Sequence, residues 1–288
     1  MGVIVTTRWT AQRRRARAIR GLVVLVAIVV AIAPVVWTVM AAIGILPNEN
    51  TRPPTLIVAL TADHLAEVSV AEPTFWQELA TSLLVSAGAA LLAGTVSMLA
   101  AYGLARRPGR TQARVVPGLL VLASLPVMAY VIPLSDLMRR VGLVDTLPGL
   151  ILAEAAVTAP LAVYVFYAYL VGVSTEAEEA ARLEGAGLAA LLRRVVLPTA
   201  APIAAATVIV LFVLDWNLLL TPLVLTGIDV RTLPVVLTDF FTLERELDWP
   251  TAAAALTISL VPVLALVGLL IRLLDRFSLG GGVEGVAS

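Results

Sequence analysis

The sequence has no cysteine, no lysine and a single histidine, His64, in 288 residues. Without cysteine there are no disulfides, thiolate metal sites or cysteine nucleophiles. One histidine cannot build a multi-histidine metal centre, and a Ser-Lys catalytic pair needs a lysine, so no catalytic constellation and no metal site are expected. Charge is sparse as well: 14 % of residues are charged, against about a quarter in ordinary globular domains. What fills the space is apolar, 60 % of the chain, which excludes a soluble globular reading. Twenty acidic residues balance twenty arginines, so only the placement of charge carries information.

Long apolar runs predict six membrane-spanning helices at about Leu22–Ile43, Leu83–Leu104, Val115–Leu134, Leu147–Val173, Pro202–Leu225 and Thr251–Leu274. Each covers about 30 Å of hydrocarbon at 1.5 Å per residue. The runs lack the alternation of barrel strands, so the fold class is all-α and polytopic. The first run exceeds a signal-peptide core and has no convincing cleavage site near Gly44–Pro47, so it reads as a true span. Residues 1–21 then form a basic N-terminus, 22–274 the six-helix domain and 275–288 a tail. Fifteen arginines fall on one side of this arrangement, in the N-terminus, the 105–114 connection, the 174–202 connection and the tail. Arg52, Arg139, Arg140, Arg231 and Arg245 fall on the other. The positive-inside rule places both termini in the cytoplasm of a cell membrane. The run Arg13–Arg17 reads as a topology signal and a contact for anionic lipid, not a nucleic-acid surface.

Prolines at 34, 117, 126, 133, 160 and 262 punctuate the spans, serving either packing kinks or a pathway between helices. Phe75 and Trp76, in Thr74–Glu78, suit an interfacial anchor. His64 sits in the long external loop, exposed or touching a partner. The most informative stretch is the cytoplasmic connection Ser174–Pro202, which reads as helix, turn, helix. Thr175 is placed to cap the first helix, Glu176, Glu178 and Glu179 favour its N-terminal dipole, and Gly185 and Gly187 permit a sharp turn. From the residues alone this hairpin either docks in a groove on another protein or is a solvated surface loop.

Glu179-Ala180-Ala181, then Gly185, then Leu197-Pro198 resemble the EAA loop of permease subunits in binding-protein-dependent ABC importers. The string EAARLEGAG is similar to the carbohydrate-uptake form, with Glu184 where an aspartate is usual. Thr81-Ser82-Leu83, Ala101-Tyr102-Gly103-Leu104-Ala105-Arg106, Trp216-Asn217, Thr232-Leu233-Pro234-Val235 and the glycine-rich stretch from Gly280 to Gly285 resemble the branch typified by the second maltose permease, although the tail lacks its usual Lys-Gly ending. The likeness covers residues 75–285.

The resemblance implies an importer of sugars or related polyhydroxylated solutes. In it a second permease, two cytoplasmic ATPase subunits that bind ATP and Mg, and an external solute-binding protein would complete the system. This chain would bind no cofactor: the sequence contains no G-x-x-x-x-G-K-[ST] phosphate loop. The resemblance implies that Glu179 makes a polar contact with the ATPase, that Ala180 and Ala181 allow close packing, and that Gly185 permits the turn. Among the spans, Asp215 with Trp216 and Asn217 either lines a path for hydroxyl-rich solutes or makes interhelical hydrogen bonds. Glu154 reads as structural or subunit-facing, and Tyr164, Tyr167 and Tyr169 as packing. The competing function is a proton-coupled secondary transporter using Glu154 or Asp215, which leaves the cytoplasmic hairpin without a task.

Overall fold

The computed structural model of the chain describes residues 4–48, 55–71, 73–240 and 249–280. Arg52, Arg245 and residues 281–285 of the glycine-rich tail therefore lie outside the described residues. In chain order the elements are α1 (Ile4–Ala42), a hairpin of β1 (Ile45–Asn48) and β2 (Thr55–Val58), α2 (Asp63–Ala71), α3 (Phe75–Ala105), α4 (Gly109–Ala123) and α5 (Val127–Arg140). There follow α6 (Leu147–Val171), α7 (Glu176–Leu183), α8 (Leu188–Leu191), a π-helical turn (Leu192–Val196), α9 (Leu197–Trp216), α10 (Leu220–Leu225), α11 (Leu233–Asp239) and α12 (Trp249–Gly280). Among the described residues five helical paths are long and apolar enough to cross a membrane, or six if the bent pair α4 and α5 is one span. The chain divides into two compact units, one of residues 1–73 and 243–258, the other of residues 74–242 and 259–288.

In the first unit, α1 exposes apolar side chains around its whole circumference from Leu22 to Val36. A helix that is apolar on every side needs lipid or another apolar surface around it. The helix stops at Gly44, whose φ of +84° and the 2.1 Å that would separate a Cβ from the Ala59 carbonyl oxygen permit only glycine. The chain then enters the antiparallel hairpin, with Ile45 opposite Val58. Thr61 Oγ1 accepts the Asp63 N–H at 3.0 Å and so starts α2. His64 is not merely exposed there: its Nδ1 lies 2.9 Å from Glu67 Oε2, which also accepts from Thr251 Oγ1 at 3.2 Å.

The second unit is organised around α3. Its buried face is small, with Ala89, Ala90, Ala93, Gly94, Ser97 and Ala101, so α6 and α9 pack close on it. Small residues at such faces let backbones approach where apolar burial gives no net drive, because lipid is as apolar as leucine. A Cβ on Gly88 would lie 2.9 Å from Ile151 of α6, and one on Gly94 would lie 2.8 Å from Val208 of α9. Ser97 Oγ adds a hydrogen bond to the Ala159 carbonyl of α6 at 3.2 Å.

Several boundaries differ from the sequence reading, each for a local reason. The third span is not continuous: α4 and α5 meet at 94° across Ser124-Leu125-Pro126. Pro126 lacks an N–H and disfavours helix at Leu125, while the Ser124 N–H and hydroxyl both return to the Leu120 carbonyl, at 3.0 and 2.7 Å. The fifth path runs from Leu188 to Trp216, not from Pro202 to Leu225. Pro198 and Pro202 fall inside it, whereas Pro222 cannot donate to the Leu218 carbonyl and crowds it, which separates α9 from α10. Segment Thr74–Glu78 is the N-cap and first turn of α3, and of its two aromatics Phe75 is fully buried and Trp76 exposed. The last helix is longer than expected, Trp249–Gly280 instead of Thr251–Leu274.

At the opposite end of the bundle from α7, Asp145 holds two loops together. It sits at φ 55°, and its carboxylate accepts the backbone N–H groups of Gly227, Ile228, Asp229 and Val230 at 2.8 to 3.2 Å. Burial alone would raise its pKa, but these four donors outweigh it and hold the carboxyl below its ordinary value. Nearby, Ser82 Oγ of α3 accepts the Leu233 N–H at 2.6 Å, and Arg231 bridges Glu78 of α3, at 3.3 Å, to Asp239.

The closeness of α3 to α9 is testable. Gly94→Val should lower stability by about 1–3 kcal/mol through overpacking. Gly103→Val, where a Cβ meets nothing within 4 Å, should leave the melting temperature of the detergent-purified protein unchanged.

Candidate functional site: the α7 hairpin and its anchor

Helix α7 has only eight residues and cannot stand on propensity alone. Its ends are fixed by the chain itself. Thr175 occupies the N-cap position but does not bond the backbone as the sequence suggested; its backbone there is helical, and its hydroxyl donates to Glu179 Oε1 at 2.7 Å. Ser174 Oγ instead accepts the Glu176 N–H at 3.3 Å. At the other end Gly185 adopts φ +84°, its N–H bonds the Arg182 carbonyl at 3.0 Å, and the Ala186 N–H bonds the Ala181 carbonyl at 2.9 Å. These 5→2 and 6→1 bonds form a Schellman cap, which needs a residue tolerant of the left-handed region.

The outward face of this hairpin carries most of the residues singled out by the motif. Glu179, Ala180, Glu184 and Gly185 are exposed and Ala181 is half-buried. The structure adds Leu183, 90 % exposed one turn from Glu179, and Leu188, 63 % exposed just past the turn. A bare leucine at the tip of an otherwise polar helix is an apolar knob without a socket among the described residues, and its spacing from Glu179 was the signal that sequence reading passed over. Leu197 and Pro198 are exposed too, but they belong to the first turn of α9 and are not part of α7.

The inward face has one buried residue, Glu178, 5 % exposed. Arg106, immediately after α3, grips it as a fork: Nη2 donates to Oε1 at 2.6 Å and Nε to Oε2 at 3.2 Å. Tyr102, one turn earlier in α3, donates its hydroxyl to Glu178 Oε2 at 3.0 Å and accepts from Arg182 Nη2 at 3.2 Å. Arg106 Nη1 reaches the Leu170 carbonyl in the last turn of α6 at 3.0 Å, where a cation also meets the negative end of the helix dipole. For Arg106 the hydrogen bond to Glu178 raises the pKa despite partial desolvation. For Glu178 burial alone would raise the pKa, and the bonds from Arg106 and Tyr102 outweigh it, so the carboxyl titrates below its usual value. The stabilisation is thus complete at neutral pH and is lost only as pH falls through that lowered value.

A second tie secures the same corner. Gln112 Nε2 lies 3.1 to 3.4 Å from the carbonyls of Leu104, Ala105 and Arg107 at the end of α3, and its Oε1 accepts from Tyr167 of α6 at 3.2 Å. Tyr169 donates to the Thr199 carbonyl at 3.0 Å. Two of the tyrosines read as packing groups therefore also make polar ties.

Asp215 is 2 % exposed and takes no hydrogen bond from the described residues; the nearby Thr158 hydroxyl donates to the Glu154 carbonyl at 3.1 Å. Trp216 stacks on Phe212 at 5.7 Å, and Asn217 is exposed, donating to the Val213 carbonyl at 2.7 Å. Glu154 is 1 % exposed. One apolar hollow of about 370 Å3 lies at the α4–α5 bend, against Leu122, Leu125, Tyr130, Pro133 and Pro160, and another of about 490 Å3 lies against Leu83, Leu91, Ile209, Phe212 and Pro262.

Residues 93–278 match the family described as the binding-protein-dependent transport system inner membrane component. The chain is 29 % identical over 260 residues to the trehalose transport system permease protein SugB of Mycobacterium tuberculosis, spanning 88 % of this chain and 93 % of that one. It is 34 % identical over 204 residues to a putative ABC transporter permease protein of Streptomyces antibioticus, spanning 70 % and 89 %. With the trehalose/maltose transport system permease protein MalG of Thermococcus litoralis it shares 24 % identity over 236 residues, spanning 82 % and 85 %. The fold superimposes with a TM-score of 0.74 and 17 % identity on a chain of a bacterial ABC transporter involved in the import of the acidic polysaccharide alginate, covering 91 % of this chain and 97 % of that one.

Proposed function

Because this chain belongs to the family of inner membrane components of binding-protein-dependent transport systems, we propose that it is the permease subunit of an ATP-driven importer for sugars or related polyhydroxylated solutes. The sugar class is supported by its relatives, which include permeases named for trehalose, maltose, diacetylchitobiose and arabinooligosaccharides. The chain supplies half of the pathway and a second, non-identical permease the other half. An external solute-binding protein delivers cargo, and two cytoplasmic ATPase subunits bind ATP and Mg. The arginine asymmetry supports a cytoplasmic position for both termini and for the α7 hairpin.

The observation that carries the coupling role is the two-faced hairpin. Its outer face offers Glu179, Ala180, Leu183, Glu184 and Gly185 to a partner, in the helix-in-groove manner. Its inner face is pinned to the bundle through Glu178. A helix held this way passes on a rigid-body shift when the ATPase dimer closes, so the spans alternate between inward and outward access. Leu197 and Pro198 start α9, the longest part of the span that receives this shift, with the π-helical turn before it. Asp215, Trp216 and Asn217 form the end of that span on the solute side.

A Cβ at Gly185 meets nothing within 4 Å among the described residues, so a substitution there acts through left-handed strain of about 1 kcal/mol and through the partner's surface. In the reconstituted transporter, Gly185→Asp should abolish both uptake and stimulated ATP hydrolysis while the protein stays in the membrane. Normal uptake by this variant would overturn the coupling role. Uptake that collapses with an uncoupler while ATP persists would instead establish the proton-coupled carrier built on Glu154 or Asp215.

A further inference from the structure

We propose that Arg106, Glu178 and Tyr102 are the positioning residues that convert movement of α7 into movement of α3 and α6, so that their loss leaves ATP hydrolysis running without transport. The proposal rests on the coupling reading above and adds the route by which force leaves the hairpin.

Few side chains of α7 are buried. The helix is short, Gly172 precedes its entry and Gly185 and Gly187 follow its exit, and six of its eight side chains are exposed. A helix attached only through its two connections would swing when pushed, and the push would be spent in the loops. Glu178 is the exception, and three elements converge on it. Arg106 places three of its donors on fixed acceptors, two on Glu178 of α7 and one on the Leu170 carbonyl of α6, while its own backbone continues α3. Tyr102 holds the same carboxylate from one turn along α3 and is held in turn by Arg182 of α7.

The chemistry suits a mechanical joint. An arginine–carboxylate fork fixes orientation as well as distance, which the point charge of a lysine does not. The carboxylate is buried and the guanidinium largely so, which limits screening by water and salt. The joint also lies where the cytoplasmic ends of the two most closely packed spans meet, so a displacement delivered there moves both together. Nothing in the motif residues Glu179, Ala180 or Gly185 provides this link, because Glu179 and Ala180 are exposed and Gly185 has no side chain.

The test uses the complete transporter, with its partner subunits, in proteoliposomes, and reads solute uptake per ATP hydrolysed. Glu178→Gln and Arg106→Lys should each lower that ratio about tenfold, the factor that loss of a charge-assisted hydrogen bond carries, while ATP hydrolysis stays within about twofold. Tyr102→Phe removes only the shared hydroxyl and should lower the ratio about threefold, which keeps the test decisive if either charge variant fails to reach the membrane. An unchanged ratio in the variants that do insert, whether both rates are normal or both fall together, would overturn the proposal and leave the fork a folding contact. Gly185→Asp separates the two readings: if it transports normally the coupling role itself is wrong, whereas if it is inactive and the fork variants keep a normal ratio, only the proposed route is wrong.

Discussion

The structure depends on how closely α3 approaches its neighbours. In lipid there is no hydrophobic gain from pressing apolar helices together, so contact surface and short-range dispersion must hold the bundle. The alanine, glycine and serine face of α3 supplies that surface, with Gly88 against α6 and Gly94 against α9 leaving no room for a Cβ at the observed spacing. A rod of 31 residues packed on two sides is stiff. Anything fastened to one end of it is mechanically connected to the other.

Polar chemistry appears at both ends of that rod. At the α7 end Tyr102 and Arg106 hold Glu178, and Gln112 covers the last carbonyls of the helix. At the far end Glu78 and Ser82 hold Arg231 and the Leu233 N–H, and Asp145 gathers four more backbone donors from residues 227–230. Between the two ends the contacts are dispersion and a few hydroxyl-to-carbonyl bonds such as Ser97 to Ala159. The distribution fits the solvent: charged networks form where water and headgroups share the cost of desolvation, and the hydrocarbon layer is left to shape complementarity. Glu154 and Asp215 depart from it as buried carboxyls with oxygens that take no hydrogen bond from the described residues, carried on the two helices that pack most closely against α3.

Much of this was readable from residue order, and the parts that were not share a cause. Apolar length located α3 and α6, because a run of more than twenty such residues has few alternatives. The same signal could not say which prolines bend a helix: Pro117 and Pro133 sit inside α4 and α5, while Pro126, backed by Ser124, breaks the chain between them. Nor could it separate Glu178 from Glu179. Adjacent acids on a short helix look alike in sequence, and only the helical phase, read against an arginine 72 residues earlier, turns one inward and leaves the other exposed. Asp145 was passed over for the same reason, since the N–H groups that surround it come from residues about eighty positions later. Local chemistry was legible; fastening across distant segments was not.

The most direct measurement of the central claim is a pair of spin labels at Glu176→Cys and Gly103→Cys, both exposed positions in a chain without native cysteine, read by pulsed distance spectroscopy in the assembled transporter. If α7 and α3 move as one body, the distance should stay within about 2 Å between the nucleotide-free and ATP-bound states, below the one-turn scale of a sliding contact. A change of about 5 Å or more, the step of one helical turn, would show that the hairpin moves independently of the span it is held to, and would contradict the account.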